Sequence, residues 1–173
     1  MFRHLQHPGV LALTLATAGI LMVTMGMRQS LGLYLGPINT STGLGIVTLS
    51  LAMAIGQFVW GAVQPIAGML ADRHGPRWIL FGGVFMLALA TALTPFMTSG
   101  LGLALTLGVM AAAGAGAASF SVLIGAAAQR LPAEARGSAS GVINAGGSFG
   151  QFVFAPVIQK LIQSLGWMGS MWA

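Results

Sequence analysis

Five long stretches without a charged residue constrain the fold of this chain more than any other feature. Each has about 20 residues or more, the length of helix that crosses the hydrocarbon core of a bilayer. A backbone in lipid must satisfy its own hydrogen bonds, so a helix is expected for each stretch. Only 5% of the residues are charged, whereas roughly 25% are charged in a soluble domain. The stretches are Pro8–Met27, Gly45–Ala71, Trp78–Thr98, Leu101–Ala128 and Gly137–Gln159.

These stretches predict an all-α integral membrane protein with five transmembrane helices and the start of a sixth. The short basic segment at the N-terminus is typical of a signal peptide. The apolar run after it is too long for one, and four more runs follow, so we expect an uncleaved first helix. The predicted helices lie at about 9–35, 45–71, 78–98, 101–128 and 137–163, and a truncated sixth lies at 167–173.

Positive charges predict the orientation of the helices, because short cytoplasmic loops carry an excess of Lys and Arg. If the helices alternate in direction, five basic residues fall on one side and only Lys160 falls on the other. We therefore expect a multi-pass protein of the plasma membrane or bacterial inner membrane with a cytoplasmic N-terminus. The net charge of +5 then reflects topology in a lipid bilayer, and no nucleic-acid partner is expected. The five residues are Arg3, Arg73, Arg77, Arg130 and Arg136.

Residues for enzymatic chemistry are scarce. The chain has no cysteine, which excludes disulfides and thiolate catalysis. His4 and His7 offer only two ligands on a terminus, which makes a poor metal site. No nucleophile and base pair is visible. We expect no metal, no cofactor and no enzymatic activity.

Polar residues recur at helical spacing within three of the predicted helices, so each of these helices has one polar face. Such a face either hydrogen-bonds to neighbouring helices or lines an aqueous pathway. The sequence leaves both explanations open. The faces consist of Thr14, Thr17, Thr24 and Arg28 in the first helix, Gln57, Trp60 and Gln64 in the second, and Asn144, Ser148 and Gln151 in the fifth.

Arg28 is the one charged residue on these faces, and it follows about 27 Å of straight helix. Its guanidinium could extend to the outer headgroups of the bilayer. In a cavity it would instead offer a planar, permanently charged donor suited to a carboxylate. A charge inside a span is a functional candidate by default, although this one is predicted close to an interface.

Small residues form a second pattern at intervals of four. Gly137, Gly141 and Ala145 lie along the fifth helix, and Gly108, Ala112 and Gly116 lie along the fourth. Such ridges let helix backbones approach closely, so both are predicted packing faces.

The connection between the second and third helices reads Gly68-Met-Leu-Ala-Asp72-Arg73-His-Gly75-Pro-Arg77. It resembles the cytoplasmic signature G-x-L-x-D-R-x-G-x-R/K of the major facilitator superfamily, in the same loop and on the side that the charges predict. The resemblance implies a conformational gate in which Asp72 and the arginines hold the two halves of a transporter together on the cytoplasmic side. The alternative is a turn whose charges only satisfy the orientation rule.

Two further stretches, Met27 to Pro37 and Gly137 to Pro156, are similar to the branch that contains monocarboxylate transporters and oxalate–formate exchangers. In that branch a cation near Arg28 is associated with an anionic substrate. The resemblance implies a transporter of a small organic anion, a monocarboxylate or dicarboxylate, with Arg28 as the leading substrate contact. The second-rank candidates, chosen by spacing alone, are Gln57, Trp60, Gln64, Asn144 and Gln151.

The chain departs from the family in two ways. Met110 stands where many proton-coupled members have an arginine, and no carboxylate lies in any predicted span, so coupling would come from another part or transport would be uniport or exchange. The implied fold is a partial N-terminal half, residues 1–173, of a transporter that normally has two six-helix halves. The missing C-terminal half, a second copy or a partner would complete it. The alternative function is a truncated, non-transporting membrane scaffold or assembly factor.

Overall fold

The computed structural model describes residues 8–173, so the expectations for Arg3, His4 and His7 lie outside the described residues. Over this range the secondary structure is helical, as predicted, and contains no strand. Five helical spans are long and apolar enough to cross a membrane, which confirms the predicted fold class. We call them the first to fifth spans: Gly9–Thr42, Ile46–His74, Pro76–Phe96, Gly100–Ala128 and Ala133–Trp172.

The first span is longer than the sequence predicts. It consists of an α-helix at Pro8–Ser30, a 3₁₀ turn at Leu31–Tyr34 and a second α-helix at Leu35–Thr42. Pro37 does not end it, because this proline lies in the first turn of the second helix, where a missing backbone N–H is tolerated. Tyr34, the last residue of this 3₁₀ turn, is buried.

The second and third spans are joined by one residue. The second is a continuous α-helix at Ile46–His74, and Gly75 follows with a φ of 87°, a conformation that glycine adopts without steric cost. Pro76 then begins the third span at a position where proline suits a helix start. The third span is an α-helix at Pro76–Leu93 followed by a 3₁₀ turn at Thr94–Phe96.

The fourth span is irregular. Its helical segments are Gly100–Leu103, a π-helical stretch at Ala104–Ala111, then Ala112–Ala117 and Phe120–Ala128. The break between the last two falls at Ala118 and Ser119, both buried. A π-helical stretch is rare and is frequently found at functional sites.

The fifth span runs from Ala133 and is interrupted at Gly166, whose φ of 73° and ψ of 168° are not helical. The residues that follow begin a new helical segment that docks on two other spans. Ser170 Oγ donates to Tyr34 Oη over 3.1 Å, and Trp172 Nε1 donates to the carbonyl of Ala92 over 3.1 Å. This segment corresponds in position to the predicted start of a sixth helix.

Glycines set how closely the spans pack. The first span packs on the fifth, and the second and third spans pack on the fourth. A Cβ added to Gly108 would lie 2.7 Å from the carbonyl oxygen of Ala52, and one added to Gly116 would lie 2.9 Å from that of Trp60. These contacts confirm the predicted packing ridge of the fourth helix at its two glycines.

The predicted ridge of the fifth helix is wrong at its glycines. Added Cβ atoms at Gly137 and Gly141 would meet nothing within 4 Å. The close contact lies further along the helix, where an added Cβ at Gly146 would lie 2.8 Å from the Ala18 carbonyl oxygen. An interval of four identifies a helix face, but the neighbour that covers that face depends on where the helices cross.

Replacing Gly150 with alanine tests this packing, because the added methyl group would collide with the backbone of Met22. We expect destabilisation of about 1–3 kcal/mol from overpacking. The midpoint temperature of unfolding of the purified protein in detergent would fall accordingly. Gly141→Ala is the matched control on the same helix and should unfold at or above the wild-type temperature. Equal midpoints for the two variants would contradict the assigned contact.

Candidate functional site

The threonines of the first span belong to the packed interior of the bundle. Thr14, Thr17 and Thr24 are buried, and each hydroxyl donates to a carbonyl of its own helix three or four residues earlier. Thr24 Oγ1 also lies 3.4 Å from the carbonyl oxygen of Ala118 in the fourth span. Of the two explanations for this polar face, packing of the bundle therefore applies to its threonines.

Arg28 differs from these threonines because its side chain carries a full charge and contacts an aromatic ring of another span. Its Cζ lies 4.1 Å from the centroid of the Trp60 ring, a cation–π contact. Trp60 is the central residue of the second span, and the first span continues past Arg28 as far as Thr42. The guanidinium thus lies beside the middle of the second span, and not at the end of a span.

A chain of polar contacts extends from Arg28 to the fifth span. Arg28 Nη1 donates to Gln29 Oε1 over 3.4 Å, and Gln29 Nε2 donates to Gln151 Oε1 over 3.5 Å. The contacts connect the second, first and fifth spans in the order Trp60, Arg28, Gln29 and Gln151. Gln29 is a site residue that the spacing argument missed, because it lies beside the polar face. Its position next to an intramembrane cation was the signal that could have identified it.

A cavity of about 230 Å³ opens beside this chain of contacts. Arg28, Gln29 and Gln57 are its polar wall. The π-helical stretch of the fourth span contributes Leu107 and Ala111 to the apolar part of its lining. The remaining lining residues are apolar or glycine: Leu31, Gly32, Leu35, Met53, Gly56, Leu87 and Ala112.

The guanidinium in this cavity has no carboxylate partner. The chain contains two acidic residues, Asp72 and Glu134; both lie among the described residues, are exposed, and are close to the end of the second span and the start of the fifth. Arg28 is half-buried, and the hydrogen bond to Gln29 occupies one of its five N–H donors. The wall therefore presents a fixed positive charge with free donors, which is the chemistry that binds a carboxylate.

The structure brings together some of the sequence-predicted residues and separates others. Gln57 lines the cavity with Arg28, and Gln151 reaches it through Gln29. Gln64 lies elsewhere and accepts a hydrogen bond from Ser121 Oγ over 3.1 Å. Asn144 is exposed and does not line this cavity.

The signature residues surround the connection between the second and third spans. Asp72, Arg73 and Arg77 are exposed, whereas Gly68 and Gly75 are half-buried. Gln129 Nε2 donates to Asp72 Oδ1 over 3.3 Å. This hydrogen bond links the end of the second span to the end of the fourth.

Comparison with known proteins identifies the family. The sequence model of the Major Facilitator Superfamily matches residues 12–173, which is nearly the whole chain. The chain therefore belongs to the major facilitator superfamily, as the signature predicts. It is a multi-pass membrane protein of a transporter family and not an enzyme.

Three curated relatives have names that state a transport activity. The chain is 29% identical to the oxalate:formate antiporter of Oxalobacter formigenes over 155 residues, 87% of this chain and 35% of that protein. It is 27% identical to monocarboxylate transporter 13 of Rattus norvegicus over 86% of this chain and 34% of that protein. It is 28% identical to a probable galactarate/D-glucarate transporter of Escherichia coli over 72% of this chain and 29% of that protein. The chain thus spans about a third of the length of these relatives.

Single cysteines test whether the cavity holds water, and the natural sequence has none to remove. In membranes, Gln57→Cys should react with a charged methanethiosulfonate at least about tenfold faster than Phe85→Cys, because the reacting thiolate requires water. Phe85 is the matched control, since it is 59% exposed on the third span but faces lipid in this account. Equal reaction rates would show that the Gln57 side of the bundle faces lipid as well.

Proposed function

We propose that this chain forms part of a secondary transporter of a small organic anion, a monocarboxylate or dicarboxylate, which works by alternating access. The observation that carries the proposal is the Arg28 guanidinium, a permanent charge that lines a cavity between the spans and has no carboxylate partner among the described residues. A charge that is half-buried without a counter-ion loses part of its hydration, which is unfavourable. An anionic substrate would supply the missing partner each time it binds.

The names of the relatives support the same chemistry. Oxalate, formate, other monocarboxylates, galactarate and glucarate all carry carboxylates. In our proposal a substrate carboxylate accepts hydrogen bonds from Arg28, while the amides of Gln29 and Gln57 orient it. Because the rest of the cavity lining is apolar, it favours a substrate with few polar groups besides the carboxylate.

Alternating access requires a second body against which these spans move. We propose that a C-terminal half, or a second copy of the chain, supplies the opposite wall of the cavity. The distribution of arginines supports a cytoplasmic N-terminus in a plasma or bacterial inner membrane. The signature loop then lies at the cytoplasmic face, where Asp72 would act as a gate.

Removing the cation is the direct test of this function. In the complete gene product that contains this sequence, Arg28→Ala should reduce uptake of radiolabelled oxalate, formate and lactate to background. The reason is that the cavity would lose its only positive charge. Uptake is measured in cells or proteoliposomes and normalised to the amount of protein in the membrane.

Lys160→Ala is the matched control, because it also removes one positive charge from a span but does not line the cavity. It should retain uptake close to wild type. Wild-type uptake by Arg28→Ala would contradict the assignment of Arg28. Absence of anion uptake by the wild-type protein would favour the non-transporting scaffold.

Asp72→Asn tests the proposed gate at the signature loop. Loss of the carboxylate should weaken the outward-open state by about 1–2 kcal/mol, equivalent to a change of about five- to thirtyfold in the population ratio. We expect slower uptake and more inward-open protein by accessibility labelling. Glu134→Gln, which neutralises the other exposed acid, is the control. Unchanged rates and populations in Asp72→Asn would remove the gate from the account.

A further inference from the structure

We infer that Trp60 is a positioning residue that holds the Arg28 guanidinium toward the substrate cavity, and that it does not itself contact the substrate. This inference rests on the proposed function of Arg28 and assigns the second-rank candidate Trp60 a different role. It begins from the cation–π contact between Arg28 Cζ and the indole ring at 4.1 Å.

The two side chains have different relations to the cavity. Arg28 lines it, together with Gln57 one helical turn from Trp60, whereas Trp60 is absent from the lining. A guanidinium that rests on an aromatic face keeps its N–H donors in its own plane, where a carboxylate can accept two of them. In this inference the indole packs on the face of the guanidinium and leaves its edge to the substrate.

The indole nitrogen does not explain why a tryptophan stands at this position. Trp60 Nε1 is buried and has no hydrogen-bond partner among the described residues. Such a stranded donor is unfavourable, and an aliphatic residue at this position would avoid it. The feature of tryptophan that the structure uses is its ring face, because tryptophan gives the strongest cation–π contact among the aromatic residues.

The backbone of Trp60 packs closely against the fourth span. Gly116 lets the fourth span pass so close that an added Cβ would lie 2.9 Å from the Trp60 carbonyl oxygen. An arginine side chain loses considerable conformational freedom when it is fixed. Holding Arg28 before the substrate arrives lowers the entropy loss on binding, so the affinity for the anion should depend on the ring.

A ring series in the complete gene product tests this role. Trp60→Leu should raise the KM for carboxylate uptake about fivefold, the effect of losing a moderately buried cation–π contact. The maximal rate per molecule in the membrane should stay within about twofold of wild type, because Arg28 itself remains. Trp60→Phe and Trp60→Tyr keep a ring and should give smaller increases in KM.

Trp78→Leu is the matched control, since Trp78 is 74% exposed and lies away from Arg28. It should leave KM unchanged. An unchanged KM in Trp60→Leu, or a fall in maximal rate alone, would overturn the positioning role. If Trp60→Leu does not reach the membrane, Trp60→Phe decides: a raised KM supports the role and a wild-type KM overturns it. Arg28→Ala separates the two proposals, because uptake by that variant would contradict the proposed function whatever the ring series shows.

Discussion

Hydrocarbon offers no hydrogen bonds, so a polar group within a span is favourable where it finds a partner inside the protein or faces a water-filled cavity. The threonines of the first span meet this constraint locally by donating to their own helix. Arg28 meets it only in part within its own span, because its hydrogen bond to Gln29 does not neutralise a full charge. Its other contact is the Trp60 ring of the second span, and Gln29 in turn donates to Gln151 of the fifth. Close packing at Gly146 brings the fifth span against the first, and close packing at Gly108 and Gly116 brings the fourth span against the second.

The spans and the family could be predicted from the sequence because each depends on local information. An uncharged run is sufficient to define a membrane helix, and the signature from Gly68 to Arg77 is contiguous. The end of the first span could not be predicted, because Tyr34 and Ile38 are buried by contacts with other spans, which carry the helix past Pro37. The contact of Arg28 with the middle of the second span could not be predicted either, because it also depends on how the spans pack. Helical spacing placed Trp60 and Gln57 on one face of the second helix but gave no information on which of them lines a cavity.

The site combines a fixed charge with an apolar wall. The Arg28 guanidinium contacts the Trp60 ring and donates to the Gln29 amide. The apolar part of the cavity lining includes residues of the π-helical stretch of the fourth span. In our account the first and second spans supply recognition of the carboxylate, while the signature loop at the far end of the second span controls access. Gln129 and Asp72 join the second and fourth spans at that end, so one pair of helices carries both the cavity wall and the proposed gate.

The central claim is that Arg28 binds the substrate carboxylate, and a structure of the complete gene product with a bound small carboxylate tests it most directly. The account predicts density for the carboxylate in the plane of the Arg28 guanidinium, at about 2.7–2.9 Å from its nitrogens, with the guanidinium still resting on Trp60. A carboxylate bound elsewhere, with the edge of Arg28 left free, would contradict it.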